Sequence, residues 1–294
     1  MIDIDQYLEE KRNIVNLALK KRLPQSGPPK ILDAMNYSLE AGGKRLRPIL
    51  TLAVADTLDC KSNSIIDIAC ALEFVHTYSL IHDDLPAMDN SNLRRGKPTC
   101  HRVYGDAVAV LAGDALLTHA FEILSRYGQK EGYAEKSVKI IAELSSASGV
   151  TGMIGGQILD LESEGKALTF DQVERLSVMK TGALLRAAVV CGAIASDAGS
   201  EQLKILGSYA GDIGTAFQIT DDLLDLEGSR EELGKPVGAD QERYKPTYPS
   251  VLGPENARKK AVMLYEQAVI SISTLDQPAE LLIELAKKLI FRNK

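Results

Sequence analysis

Apolar residues recur at three- and four-residue spacings along almost the whole of this 294-residue chain, and that period restricts its fold more than any other feature. Between positions 64 and 85, Ile65, Ile68, Leu72 and Val75 form one helical stripe. The same period runs through 6–20, 31–39, 106–125, 134–146, 170–190, 200–226 and 257–273. Strand-type alternation does not persist beyond about four residues, so no sheet is expected. With 45 % hydrophobic and 25 % charged residues, the chain can bury a large core and is not disordered as a whole. The interruptions at 23–29, 42–48, 89–98 and 228–249 are Gly, Pro and polar clusters with turn chemistry, none resembling an interdomain linker. The expectation is an all-α fold in which 1–294 form a single domain.

A net charge of −6 disfavours nucleic acid as a partner. The opening MIDIDQYLEEKRN lacks the basic and apolar regions of a signal peptide. The most apolar stretches, 107–113 and 183–195, are short or carry Arg186, below the roughly 20 residues a bilayer span needs. No membrane span is expected. Cys60, Cys70, Cys100 and Cys191 are scattered without CxxC pairing, which points to reduced thiols in a cytoplasmic protein.

Two acidic clusters carry the strongest chemical signal: Asp83, Asp84 and Asp89 in DDLPAMD, and Asp221, Asp222 and Asp225 in DDLLD. In the second, positions 221 and 225 lie about 40° apart around a helix and 222 about 60° from 225, so three carboxylates share one face. Carboxylates this close resist joint ionisation unless a cation lies between them. Mg²⁺, a hard ion held by one or two carboxylates plus substrate phosphates, is the natural partner. Either cluster alone could be a solvated helix face. Both, however, end apolar segments, FVHTYSLIH and GTAFQIT, where an unpaired triple charge is costly. From Asp83 to Asp89 is about 240° on a continuous helix. Asp89 can join its partners only if the helix ends, and Pro86 and the following DNSN supply that ending.

The cations come in matching blocks. Lys44, Arg45 and Arg47 sit in the Gly-rich GGKRLRP, suited to holding phosphate although no GxxxxGK[ST] loop is present. Arg94 and Arg95 follow the first acid cluster, and Lys180-Thr181, Lys235 and Lys245 follow later. Together they suggest sites for two polyanions, one bridged by metal and one held directly by Lys and Arg. His76 lies about two turns before Asp83 on the same face and is expected to reach the ligand. His82 reads as a hydrogen-bonded helix-end residue, and His101 and His119 as structural.

These blocks in order, GGKRLRP, DDLPAMD, LRRG, Lys180-Thr181, Phe217-Gln218, DDLLD, LGKPVGAD and KPTYP, resemble the short-chain trans-isoprenyl diphosphate synthases from about residue 28 onward. The resemblance implies a helical bundle around a deep central cavity, usually a homodimer. It also implies head-to-tail condensation of isopentenyl diphosphate with dimethylallyl and geranyl diphosphate, ending at (2E,6E)-farnesyl diphosphate. By the same resemblance Asp83, Asp84 and Asp89 with Asp221, Asp222 and Asp225 are Mg²⁺ ligands, three ions per site, with Mn²⁺ as the alternative. Arg94, Lys180, Thr181, Gln218 and Lys235 fall on the allylic diphosphate, and Lys245 is a further substrate-binding residue. Lys44, Arg47, His76 and Arg95 fall on a metal-free isopentenyl diphosphate site. Asp83, Asp84, Asp89, Lys180 and Asp221 are the implied catalytic set, and no Ser/His/Asp or Cys/His arrangement competes with them.

In the family, the helix before the first acid cluster stops the growing tail. Tyr78 beside Ser79 therefore favours a fifteen-carbon product, although a core aromatic is the other reading of Tyr78. The chain departs from its relatives at Asn90-Ser91-Asn92, where further acids are common. A geranylgeranyl product from the same sites is the alternative. Terpene cyclisation is a more distant one, since it needs no second basic site. The segment 228–249 is expected to act as a lid.

Overall fold

The computed structural model describes residues 2–227 and 246–292. Among them the chain forms α1 (Ile4–Arg22), α2 (Pro29–Glu40), α3 (Leu46–Thr57), α4 (Ile65–Asp83), strands β1 (Leu93–Arg94) and β2 (Lys97–Pro98), and α5 (Cys100–Tyr104). There follow α6 (Asp106–Gly128), α7 (Ala134–Ser148), α8 (Met153–Ser163), α9 (Phe170–Ser177), a π-helical turn (Val178–Gly182) and α10 (Ala183–Ala195). The described chain continues with α11 (Ser200–Glu227), α12 (Tyr248–Leu252), α13 (Pro254–Ile272) and α14 (Glu280–Ile290).

The fold is all-α, and its centre is set by helices that are apolar on every side. Consecutive positions 48–55 of α3, 68–75 of α4 and 187–193 of α10 are buried. Such helices cannot lie at a surface, and these three pack on one another. The Thr51 hydroxyl carried into this layer is satisfied, donating across to the Ala188 carbonyl at 2.9 Å. Amphipathic helices cover the layer: α6 lies on α4, α7 on α10, and α11 on α10 and α13. The buried apolar side chains join into one contiguous core.

Four features depart from the sequence expectation. A hairpin, β1–β2, is present where no sheet was expected; its two loop residues, Arg95 and Gly96, have φ of 54° and 77°, the signature of a type I′ turn. Helices α3, α8 and α14 carry no stripe in the sequence reading. α3 begins inside the 42–48 break, because Pro48 falls in its first turn, where a missing N–H breaks no helical bond. The 170–190 stripe contains the π-helical turn. Finally, three helical segments, Ile65–Asp83, Asp106–Gly128 and Phe170–Ala195, are long and apolar enough to cross a membrane, which corrects the expectation that no such segment exists. Much of each is buried within the fold (61, 44 and 56 % of the apolar window), so the core accounts for their composition.

Candidate active site

A cleft of about 770 Å³ opens between the loop before α3, α4, the β-hairpin, the α9–π-turn segment, α11 and the C-terminal residues. Its first wall is the Gly-rich turn. Arg45 is the N-cap residue of α3 at φ 51°, and it lines the cleft with its guanidinium committed to protein partners. Its guanidinium donates to Glu73 Oε1 at 2.7 Å, the Leu39 carbonyl at 2.5 Å and Asn16 Oδ1 at 2.9 Å. That pinning leaves Lys44 and Arg47 on the cleft wall. Arg95, at the hairpin tip, donates to the Gly42 carbonyl and covers Gly43. Gly43 has φ of 127°, a backbone conformation that favours glycine, and its bare Cα leaves room for the Arg95 guanidinium.

Charge crowding shapes this wall. Burial pushes Arg47 down to about 10, with Glu73 opposing the shift, and Lys44 and Arg95 are also lowered, burial first. His76 is held well below its usual range by burial and then by Arg47, Arg95, Arg94 and Arg45. It is therefore a neutral imidazole at pH 7, able to hydrogen-bond an anion without adding charge.

The first acid cluster closes as its spacing implies. α4 ends at Asp83, and the Asp89 N–H donates back to the Asp83 carbonyl at 2.9 Å. Arg94 Nη2 lies 2.6 Å from Asp84 Oδ1, and Gln157 of α8 donates to Asp83. Burial pushes the Asp84 carboxyl up, with Arg94 opposing. Arg94 lines the cleft in front of these carboxylates, which are not themselves on its wall.

On the far side α11 presents Phe217, Gln218, Asp221 and Asp222 to the cleft. Asp222 accepts from Gln218 Nε2 at 2.7 Å and from the Tyr248 N–H at 2.9 Å. Asp225 is buried one turn further along. Asp221 pairs with Arg292, whose guanidinium stands 4.5 Å from the centroid of the Phe217 ring. Lys180 and Thr181 ride the π-helical turn, and Lys180 Nζ lies 2.6 Å from Asp160 Oδ2. A Cβ on Gly156 would come within 2.6 Å of the Lys180 Cα, so a bare glycine on α8 lets this turn approach.

Thus Lys44, Arg47, His76, Arg94, Arg95, Lys180, Thr181, Gln218, Asp221 and Asp222 meet in one cleft. Tyr78 lies in the core beside it, 5 % exposed, its ring 5.7 Å from that of His82, and the Ser79 hydroxyl donates to the His76 carbonyl at 2.8 Å. His82 approaches the Val110 carbonyl at 3.0 Å, and His101 and His119 are buried. Lys235, Lys245 and most of the expected lid lie outside the described residues. The sequence reading missed Glu73, Asp160 and Arg292. Arg292 follows Asp221 by 71 residues and Lys180 follows Asp160 by 20, separations that leave no periodic trace.

Among the described residues no three Asp, Glu, His or Cys side chains already converge as a metal-binding group. The donor chemistry nevertheless suits hard divalent ions, because Asp221 and Asp222 line the cleft and Asp84 lies directly behind Arg94, which lines it too. Mg²⁺ takes one or two such groups and completes its shell with phosphate and water.

The sequence model of the polyprenyl synthetase family matches residues 28–279. The chain is 47 % identical over 300 aligned residues to the farnesyl diphosphate synthase of Escherichia coli, covering all of both chains. It is 46 % identical over 288 to a geranylgeranyl diphosphate synthase of Cyanophora paradoxa, covering 98 % of this chain and 96 % of that one. The crystal structure of a geranyltransferase from Legionella pneumophila superposes with a TM-score of 0.87 at 34 % identity, covering 98 % and 96 % of the two chains. On the match of motif, sequence and fold, this chain belongs to the polyprenyl synthetase family.

Proposed function

We propose that this protein is a prenyltransferase that condenses isopentenyl diphosphate with dimethylallyl and then geranyl diphosphate to give (2E,6E)-farnesyl diphosphate. The observation that carries the reading is that one cleft gathers carboxylates paired with cations, Asp160 with Lys180 and Asp221 with Arg292, together with Lys44, Arg47, Arg95 and neutral His76. Relatives named farnesyl diphosphate synthase at 44 to 47 % identity support it.

The reading assigns Arg94, Lys180, Thr181 and Gln218 to the allylic diphosphate and Lys44, Arg47, His76 and Arg95 to the isopentenyl diphosphate, supported by their all lining one cleft. Mg²⁺ held by Asp83, Asp84, Asp89, Asp221, Asp222 and Asp225 would supply charge neutralisation to the leaving group. The allylic C–O bond breaks with its electron pair on the diphosphate. The double bond of isopentenyl diphosphate forms the new carbon–carbon bond, and the released diphosphate accepts the proton then lost. Leu80, Val173, Leu176 and Phe217 give the cleft an apolar lining that limits water around the cationic carbon. Tyr78 is the proposed stop at fifteen carbons. A twenty-carbon product is the second reading, favoured by the Cyanophora relative.

The reading includes one domain over 1–294, supported by the single core, and a cytoplasmic setting, supported by four free thiols. It also includes a homodimer, supported by the large apolar side chains of Val103, Val110 and Leu111 left exposed on α5 and α6. Light scattering tests the last of these. The function is tested by incubating the protein with dimethylallyl diphosphate, isopentenyl diphosphate and Mg²⁺ and chromatographing the hydrolysed products. Farnesol supports the reading, geranylgeraniol selects the second one, and the absence of any prenyl alcohol beyond the primer's sinks both.

A further inference from the structure

Glu73 of α4 lines the cleft yet belongs to neither substrate site. It is 2 % exposed and sits one turn before His76. Its Oε1 accepts from Arg45 at 2.7 Å, whereas its Oε2 is enclosed without a hydrogen-bond partner. The Nε of Arg47 is enclosed and unpartnered in the same way. A buried carboxylate left half satisfied is costly unless the surroundings supply positive charge. Here they do: among the charges acting on Arg47 and on Arg95, Glu73 is the largest and favours the charged form of each.

The same carboxylate fixes backbone. Arg45 stands in the left-handed region, uncommon for a residue with a side chain. Its three hydrogen bonds to Glu73, Leu39 and Asn16 tie α4, the end of α2 and α1 to the turn from which Lys44 and Arg47 reach the cleft. Loss of the Glu73 charge would release the turn and leave Arg45 as a buried, uncompensated cation.

We propose that Glu73 is the positioning residue of the metal-free diphosphate site, setting Lys44 and Arg47 through Arg45 and gathering Arg47 and Arg95 around the isopentenyl diphosphate without touching it. The inference rests on the assignment of that site under the proposed function. Glu73 neither makes nor breaks a bond in the reaction.

The test is steady-state kinetics with each substrate varied in turn, on Glu73→Gln, Arg45→Met and the double variant, alongside thermal melting. Glu73→Gln is expected to raise the KM for isopentenyl diphosphate about tenfold or more, the scale on which groups that orient ligand-binding side chains act. The KM for geranyl diphosphate and kcat are expected to move less than about twofold. Arg45→Met follows the same pattern. The double variant recovers melting temperature, because neither charge is then left alone, but keeps the high KM for isopentenyl diphosphate. Glu73→Asp, which retains the charge, gives an intermediate KM and serves if Glu73→Gln does not fold.

Equal shifts in both KM values, an unchanged or lowered KM for isopentenyl diphosphate, or a double variant whose KM returns with its stability would each overturn the proposal. Failure of the functional reading looks different: the unsubstituted protein itself would then form no product.

Discussion

Arg94 lies along Asp84, its Nη2 2.6 Å and its Nε 3.1 Å from Oδ1, so the cation proposed for phosphate and the carboxylate proposed for metal hold each other. Lys180 with Asp160, and Arg292 with Asp221, repeat the arrangement. The cleft therefore compensates its own charges, and a metal diphosphate must exchange these partners for its own. Replacing Arg94 by Met should tighten Mg²⁺ binding to the unliganded protein, read by calorimetry, because a competing cation has gone. The same change should lower kcat/KM for the allylic substrate by about 10²–10³-fold, the range for loss of one charge-stabilising donor. Weaker Mg²⁺ binding would show that Arg94 does not compete for Asp84.

Acid should destabilise the protein through His76. The folded ring stays neutral well below its usual range, whereas the unfolded chain takes up that proton near pH 6.5. Below this pH the unfolded state binds more protons, so stability falls as pH drops through about 6.5 and is recovered above it. Urea unfolding at about pH 7.5, 6.5 and 5.5 should show the decline, with a shallower slope for His76→Gln. Parallel slopes for the two proteins would remove His76 from the account.

Tyr78 should separate product length from stability. Its hydroxyl is buried without a partner, and burial pushes its pKa up to about 12. Tyr78→Phe keeps the ring and loses only that atom, so the product should stay at fifteen carbons, with stability unchanged or raised by about 1 kcal/mol. Tyr78→Ala should lengthen the product at similar turnover. An unchanged C15 product from Tyr78→Ala would reduce Tyr78 to a core aromatic.

Gly156→Ala should act at a distance from any ligand. Its new Cβ meets the Lys180 backbone, which cannot yield as a flexible side-chain end would. Overpacking of this kind costs about 1–3 kcal/mol, and moving the turn displaces Lys180 from Asp160. Urea unfolding and kcat should fall together. Stability lost with full activity would mean that the turn's position does not govern Lys180.

The parts of this site legible in the sequence are those coded by local rules. DDLPAMD announces its own helix end, and Asp89 folds back onto Asp83 as Pro86 and Asn90 allow. The stripes reveal the amphipathic helices, and they also mark α4 and α10, which the fold buries on every side. α8 escaped because Gly155 and Gly156 lower helix propensity, and the reason for Gly156, the approach of Lys180, lies on another element. GGKRLRP reads as three equivalent cations, and all three line the cleft, but the fold commits Arg45 to Glu73 in a buried ion pair. The stretches 107–113 and 183–195 looked too short to cross a membrane, yet each belongs to a longer apolar helical segment, much of which is buried within the fold.

Metal-dependent condensation in one cleft is tested by the incorporation of labelled isopentenyl diphosphate into geranyl diphosphate as Mg²⁺ is titrated and then removed with EDTA. A fifteen-carbon diphosphate is expected whose formation follows Mg²⁺, ceases with EDTA and is lost in Asp221→Asn. A product formed equally well without divalent ions, or none formed at any Mg²⁺ concentration, would contradict it.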